Sequence, residues 1–386
     1  MSNPLTSIKT PGEILFGPGA SKQLPDRVKT FGASGVVVVT DPGLVKAGVV
    51  GQITDLLRAE AIPFEIFDRV RPDPDIASVD FCLELINSSR ANLIVGLGGG
   101  SALDVAKMAA ALKLNGGKVA DYVGVDKLPR KGLPTILLPT TSGTGSEVSP
   151  IAVLTERKKE NMKMGVVSPY FLADIAIVDP VLTFSCPASV TAASGMDTLT
   201  HAIEEYTNKF ASPIIDTLAL EAISLVLIHL KRCIDQPENL EARQAMSLAS
   251  LYGGLGLGPV NTAAVHALAY PLGGLFDIPH GLANSILLPY VLEFNRPACL
   301  DRLDRIAVLM GIQVEAAKED RVTSLIETIK TLSRQVGIPA QLREIKIPEE
   351  AIPRMAESAM TVQRLLKNNP RDVSVEDAEQ IYRSAY

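Results

Sequence analysis

The stretch Asn92-Leu93-Ile94-Val95-Gly96-Leu97-Gly98-Gly99-Gly100-Ser101-Ala102-Leu103-Asp104 decides the fold. Its first half is a continuous apolar run of strand length, and its second half opens a helical pattern that continues to Leu114. A strand that is apolar at every position is buried on both faces, which points to a parallel sheet covered by helices. The same alternation extends outward in both directions. Upstream, Gly35 to Thr40 reads as a buried strand, Val45 to Ala59 as a helix, Phe64 to Phe67 as a short strand and 75–89 as a helix. Downstream, Thr135 to Pro139 reads as another strand. Ile151 to Leu154 and Lys163 to Val167 form a hairpin around the charged turn Arg157-Lys158-Lys159, and Ala176 to Asp179 closes this half. Strand and helix alternating at this spacing predict an α/β domain with a parallel sheet.

From about Cys186 the texture changes. Strand signals become scarce, and helical periodicity covers 188–209, 212–232, 239–256, 299–311 and 318–336. The expected organisation is an α/β domain over 1–185 followed by an all-helical domain over 186–386. Residues 244–276 hold no Asp, Glu, Lys or Arg, but their six glycines, Pro259, Pro271, Asn261 and His266 predict buried helices rather than a membrane span.

The bulk numbers agree with a two-domain enzyme-sized chain. It has 386 residues, 47% of them hydrophobic, and a net charge of −6. Without a basic block or any Trp, nucleic-acid binding is disfavoured. Cys82, Cys186, Cys233 and Cys299 are scattered with no C-x-x-C, which predicts free thiols in a cytoplasmic protein. The N-terminal residues show no secretion-signal pattern.

Two loops carry a nucleotide reading. Gly98, Gly99, Gly100 and Ser101 lie between a strand and a helix N-terminus, where backbone N–H groups attract an anion. A tight turn without a ligand is the competing reading. Pro139-Thr140-Thr141-Ser142-Gly143-Thr144-Gly145-Ser146-Glu147 also follows a strand end and is dense in hydroxyls. Parallel sheets bind ligands at such ends, and neither loop is a Walker sequence. Asp41, after the first strong strand, reads equally as a ribose-binding carboxylate that selects NAD over NADP and as a cap before Pro42.

A metal reading comes from the second half. Asp197 and His201 are four residues apart, which puts them on one helix face. His266 and His280 follow, so this set holds three of the chain's 4 His. One carboxylate and three imidazoles suit Fe(II) or Zn(II). His229 matches no motif and reads as structural.

The motifs Phe16-Gly17-Pro18-Gly19, Gly98 through Lys107, Pro139 through Glu147, Gly195 through Glu204, His266 through His280, Asn369-Pro370-Arg371 and Ile381-Tyr382 together resemble the iron-containing (group III) alcohol dehydrogenases. The resemblance covers nearly the full length. It implies a dinucleotide-binding α/β domain, an all-helical domain, and metal and substrate in the cleft between them. It implies Asp197, His201, His266 and His280 as metal ligands, and Gly98, Gly99, Gly100 and Ser101 at the pyrophosphate. Asp41, Asp73, Asp104, Thr140, Thr141, Thr144 and Ser146 would line the rest of the cofactor groove, with Lys163 near the ribose or nicotinamide. Tyr270 stands where many relatives carry a His, and reads as a proton relay or as a core tyrosine. Asp73 replaces a usual Asn, Thr198 a usual Ala, and Leu257 and Pro259 fall where a Phe and an Asn are common.

The expected function is a metal-dependent, NAD(H)-linked interconversion of a small alcohol and its aldehyde or ketone, by a homodimer or larger assembly. Its rivals are a hydroxyacid–oxoacid transhydrogenase or 4-hydroxybutyrate dehydrogenase of the same superfamily, a lyase resembling dehydroquinate synthase, and a non-catalytic nucleotide-binding module.

Overall fold

The buried runs form one six-stranded sheet in the computed structural model, which describes residues 5–157, 162–312 and 315–386. The strands of the chain are β1 (Glu13–Phe16), β2 (Val36–Val39), β3 (Phe64–Phe67), β4 (Leu93–Gly98), β5 (Gly124–Val125), β6 (Thr135–Pro139), β7 (Ile151–Glu156), β8 (Met162–Val167) and β9 (Ile175–Val178). The main sheet runs β1-β9-β6-β4-β2-β3, with every pairing parallel. Side chains alternate between its faces with period two. Val37, Val39, Ile94 and Leu137 enter one core, and Val36, Val38, Leu93, Val95, Ile136 and Ile177 enter the other.

The strand order reverses beside β2. The chain goes from β2 outward to β3, then returns to lay β4 on the other side of β2. At such a switch point the two connections leave in opposite directions and open a crevice at the C-terminal strand ends. Asp41 follows β2, and Gly99 to Ser101 follow β4. β7 and β8 pair antiparallel in a second sheet with β5 parallel to β8. Their connecting turn includes Lys158 and Lys159, which lie outside the described residues.

Ile8–Cys186 make up one compact unit, and Pro187–Tyr386 build a second from helices. Its longest are Ala188–Thr207, Pro213–Asp235, Leu240–Gly256, Ala264–Phe276, His280–Leu309 and Lys318–Gln335. Met196, Leu199, Ile203, Ile223, Val226, Leu268 and Leu287 belong to its core. Pro213–Asp235 is long and apolar enough to cross a membrane, yet here its Ala219, Ala222, Ile223, Val226 and Leu230 are buried in that core.

Three elements depart from expectation. The helix expected over 45–59 is two helices, Pro42–Lys46 and Val49–Ala59, because Gly48 between them takes φ 80°. The helix expected over 299–311 is the tail of His280–Leu309, whose pattern is interrupted by Pro289, Pro297 and the non-helical Cys299 (φ −135°). β1 is only four half-buried residues, too short and too mixed to stand out. It is anchored by its continuation, where Asp179 at the end of β9 accepts from the N–H groups of Gly19 and Ser21, both at 3.0 Å, and from Ser21 Oγ at 2.6 Å.

Candidate metal centre and dinucleotide loops

Asp197, His201 and Glu204 follow one another at helical spacing along Ala188–Thr207, so their side chains leave one face. His266 lies in the first turn of Ala264–Phe276, and His280 opens His280–Leu309 directly after Pro279. The Nε2 atoms of the three imidazoles converge on the Asp197 carboxylate. His201 lies 3.9 Å from Oδ2, while His266 and His280 lie 3.7 and 3.9 Å from Oδ1. These separations are too long for hydrogen bonds. They suit ligands about 2 Å from a shared ion, which stand about 3–4 Å apart. The His201 and His266 rings stack with centroids 4.8 Å apart, and His280 tilts against His266 at 5.2 Å.

A wholly buried carboxylate backs this cluster. Glu204 Oε2 lies 2.6 Å from His266 Nδ1, and Oε1 accepts the Val265 N–H at 2.6 Å. One side chain therefore caps the start of the Ala264–Phe276 helix from a neighbouring helix and orients the imbedded ring. With Nδ1–H donating to Glu204, Nε2 carries the lone pair. That Nε2 is buried and has no hydrogen-bond partner among the described residues. An orphaned buried acceptor among a carboxylate and two further imidazoles fits a borderline divalent cation.

Electrostatics favour the ligating forms. Burial would raise the Asp197 carboxyl, but His201, His280, His266 and the bond from Asn284 outweigh it and hold the group below its ordinary value. Burial, reinforced by His201 and His280, drives the His266 imidazole well below its usual range, so it is neutral at pH 7. Ligation needs both states. Burial lifts Glu204 to about 7 against bonds from backbone N–H groups. Glu205, the next residue, presses against Gly256 where a Cβ would collide, and neither of its oxygens finds a partner among the described residues. Burial and the neighbouring Glu204 push its carboxyl well above the usual range.

Packing sets the positions. A Cβ at Gly281 would stand 2.6 Å from the Ala193 carbonyl oxygen and 3.4 Å from Asp197 Cβ, so glycine lets the His280 turn close on Asp197. Asn284, one turn further on, donates to Asp197 Oδ1 at 2.7 Å. The side chains of Asp197, His201 and His266 are 3–5% exposed and that of His280 is 35% exposed, so the cluster opens at His280. Tyr270 lies on that side, its ring 6.3 Å from the His280 ring.

The glycine-rich and hydroxyl-rich loops follow β4 and β6, beside the sheet's switch point. No side chain caps Gly100–Asn115, and while the Ala102 and Leu103 N–H groups donate to the Gly99 carbonyl at 3.0 and 3.2 Å, those of Gly100 and Ser101 stand at the helix start where an anion is favoured. A Cβ at Gly100 would stand 2.7 Å from Thr144 Cγ2, and one at Gly99 3.4 Å from Thr141 Oγ1, so the two loops meet. Thr140 N–H donates to the Gly98 carbonyl at 3.0 Å. Asp41 does cap: Oδ1 accepts from Gly43 and Leu44 at 2.8 and 3.1 Å. Its Oδ2 faces Gly98, 3.6 Å from where a Cβ would sit. Lys163 Nζ is held by Asp73 Oδ1 at 2.7 Å and Thr155 Oγ1 at 3.1 Å, and Asp73 takes φ 50° to meet it.

Asp104 sits differently from the other groove residues. Oδ1 accepts from Ser146 Oγ at 2.6 Å and Oδ2 from Val153 N–H at 2.9 Å, so Asp104 braces the hydroxyl-rich loop from behind and engages the Ser146 hydroxyl. Lys107 completes this brace. Its buried Nζ donates to the carbonyls of Ser146 at 2.9 Å and Ile151 at 2.5 Å, and lies 3.3 Å from Asp104 Oδ1.

Two halves of the chain match one family. Residues 11–180 match the model of the iron-containing alcohol dehydrogenases, and residues 191–386 match that of the C-terminal region of the same family. The chain belongs to the iron-containing alcohol dehydrogenase family. It is 42% identical to long-chain-alcohol dehydrogenase 1 of Geobacillus thermodenitrificans over 97% of this chain and 96% of that protein. The crystal structure of a 1,3-propanediol oxidoreductase superimposes with a TM-score of 0.96 at 36% identity, covering 99% of this chain and 100% of that one. The sulfoacetaldehyde reductase of Bifidobacterium kashiwanohense, solved in complex with NAD+, gives 0.90 at 34% identity and 99% coverage of both. This iron-containing alcohol dehydrogenase family member is accordingly an NAD-dependent oxidoreductase that interconverts alcohols with aldehydes or ketones.

Four supporting residues carry no signature of their own role in the sequence: Glu204, Asn284, Gly281 and Lys107. Glu204 had a findable signal, since it stands one helical turn past His201. Asn284 likewise lies four residues after His280. Lys107 had none, because only the fold turns its ammonium inward.

Glu147, beside this brace, is wholly buried, and burial raises it to about 7. The folded chain then keeps this proton where the unfolded chain, with its value near 4.5, has lost it. Its contribution is full below about pH 4.5 and is lost as pH rises through about 7. Urea unfolding between pH 5 and 7 should show wild-type stability falling relative to Glu147→Gln, by up to about 1.4 kcal/mol per pH unit. Parallel pH dependences in the two proteins would contradict the assignment.

Proposed function

We propose that Asp197, His201, His266 and His280 hold a single Fe(II), with Zn(II) as the substitute the same donors accept, and that a small alcohol reacts at the side where His280 is exposed. The convergence of three Nε2 atoms on the Asp197 carboxylate carries this reading. When bound, the ion would act as a Lewis acid that acidifies an alcohol hydroxyl or polarises a carbonyl, and NAD+ would supply the hydride acceptor.

The chain's own residues bind, orient and move protons. Glu204 holds the His266 ring and Asn284 the Asp197 carboxylate, so both point inward before any ligand arrives. The N–H groups of Gly100 and Ser101, together with Thr140, Thr141 and Thr144, take the pyrophosphate. Asp41 Oδ2 accepts from a ribose hydroxyl and repels a 2′-phosphate, which selects NAD. Lys163, held by Asp73 and Thr155, donates to the ribose beside the nicotinamide. Tyr270 Oη passes the substrate's proton to solvent as a relay, its hydroxyl able both to donate and to accept. The enzyme works in the cytoplasm, in keeping with four cysteines that form no disulfide.

Three measurements test these assignments. Chelation should abolish NADH formation from short alcohols and diols, and anaerobic Fe(II) should restore it. His266→Ala should lower kcat/KM at least about 1000-fold while leaving the Kd for NAD within about threefold. Full turnover by a metal-free preparation would contradict the metal's role. Tyr270→Phe should lower kcat about 10-fold or more and flatten the alkaline part of its pH profile. An unchanged profile would remove Tyr270 from the proton path.

A further inference from the structure

The segment Pro72-Asp73-Pro74-Asp75 is strapped onto the β7–β8 hairpin. The Thr155 N–H donates to the Pro74 carbonyl at 2.8 Å, Asp75 pairs with Thr155 in an isolated parallel bridge, and Arg157 Nε lies 3.4 Å from Asp75 Oδ2. Asp75 also caps the helix Ile76–Ser88, so shifting the strap would uncap that helix. Between the two prolines, Asp73 takes φ 50°, a left-handed backbone that few residues besides Gly, Asn and Asp adopt readily. There its carboxylate meets Lys163, which stands opposite Thr155 in the hairpin register. Lys163 Nζ is 2.7 Å from Asp73 Oδ1 and 3.1 Å from Thr155 Oγ1, and the lysine side chain is only 9% exposed. The ammonium charge is thus cancelled at contact distance by an equal and opposite one. The pair is also joined to the hydroxyl-rich loop. Asp104 accepts from Ser146 Oγ at 2.6 Å and from the Val153 N–H at 2.9 Å, and Val153 precedes Thr155 by two residues, about 7 Å of strand.

We propose that Asp73 sets the enzyme's preference between oxidised and reduced cofactor: it neutralises Lys163, so that the cationic nicotinamide of NAD+ binds without repulsion. The two forms of the cofactor differ at that ring by one positive charge. A lone ammonium beside the ring would penalise NAD+ and leave the neutral ring of NADH almost untouched. In an effective dielectric of about 20, a unit charge about 10 Å away changes the affinity of a charged ligand about tenfold or more. The low exposure of Lys163 limits the screening of this effect by salt. An Asn at the same position would accept the same hydrogen bond and adopt the same left-handed φ, but would cancel no charge. The carboxylate therefore biases the enzyme toward NAD+, the form that alcohol oxidation consumes. This inference rests on the reading of Lys163 as a donor to the ribose beside the nicotinamide.

The test measures the Kd of NADH by its fluorescence, and that of NAD+ by competition, on the Fe(II)-loaded enzyme without alcohol and at one ionic strength. Asp73→Asn should weaken NAD+ about 10-fold and hold NADH within about threefold of wild type. Lys163→Met, which leaves Asp73 unpaired, should shift the ratio of the two constants in the opposite direction. The double variant, neutral at both positions, should return that ratio to within about threefold of wild type. A merely structural disturbance would move both forms together and leave the ratio alone. Equal weakening of both forms by Asp73→Asn, or a double variant whose ratio is no nearer wild type than those of the single variants, would overturn the proposal while leaving Lys163 at the cofactor. Unchanged affinity for both forms in Lys163→Met would refute the ribose reading and the proposal with it.

Discussion

The Glu204 carboxylate, placed between the Val265 N–H and His266 Nδ1, is the contact on which the candidate centre depends. Both of its oxygens are engaged at 2.6 Å, and the group is buried from water. It joins two helices that are far apart in sequence. On its own helix it continues the face that carries Asp197 and His201. On the other it stabilises a helix start that no local side chain caps. Removing it would leave a buried N–H and a buried imidazole nitrogen unmatched together, which explains why a carboxylate is kept where desolvation opposes its charge. The ring it holds then presents a bare nitrogen to the other donors.

The α/β unit solves a related problem with the opposite charge. Its hydroxyl-rich loop follows β6 and has no regular structure to fix it. A buried ammonium from Lys107 gathers carbonyls of that loop and of β7, and Asp104 takes the Ser146 hydroxyl and the Val153 N–H. Loop carbonyls turned toward Lys107 leave the opposite side of the chain free to face Gly99 and Gly100. In both units, then, residues on well-packed helices hold irregular backbone or ligating rings from behind. Geometry near a ligand is most reproducible when it is imposed in this way.

Much of this was legible in the sequence because the deciding signals are local. The β-branched runs at Val36–Val39 and Leu93–Val95 can only be doubly covered strands, and the Gly98–Ser101 turn can only lie at their C-terminal side. Asp197 and His201 share a helix face by spacing alone. What stayed hidden depends on contacts between distant residues. Asp41 presented two readings, and the structure shows that one oxygen caps a helix while the other faces Gly98. Asp104 looked like a groove residue because it lies within the glycine motif, yet one helical turn carries its carboxylate behind the loop. His280–Leu309 was obscured because two internal prolines interrupt its pattern.

One measurement bears most directly on the central claim that four side chains seat one metal ion. Crystals grown anaerobically with Fe(II) and NAD+ should give a single anomalous peak at the iron edge, within about 2.0–2.3 Å of an Asp197 oxygen and of Nε2 of His201, His266 and His280. A peak elsewhere, or density for water alone among those side chains in an active crystal, would contradict it.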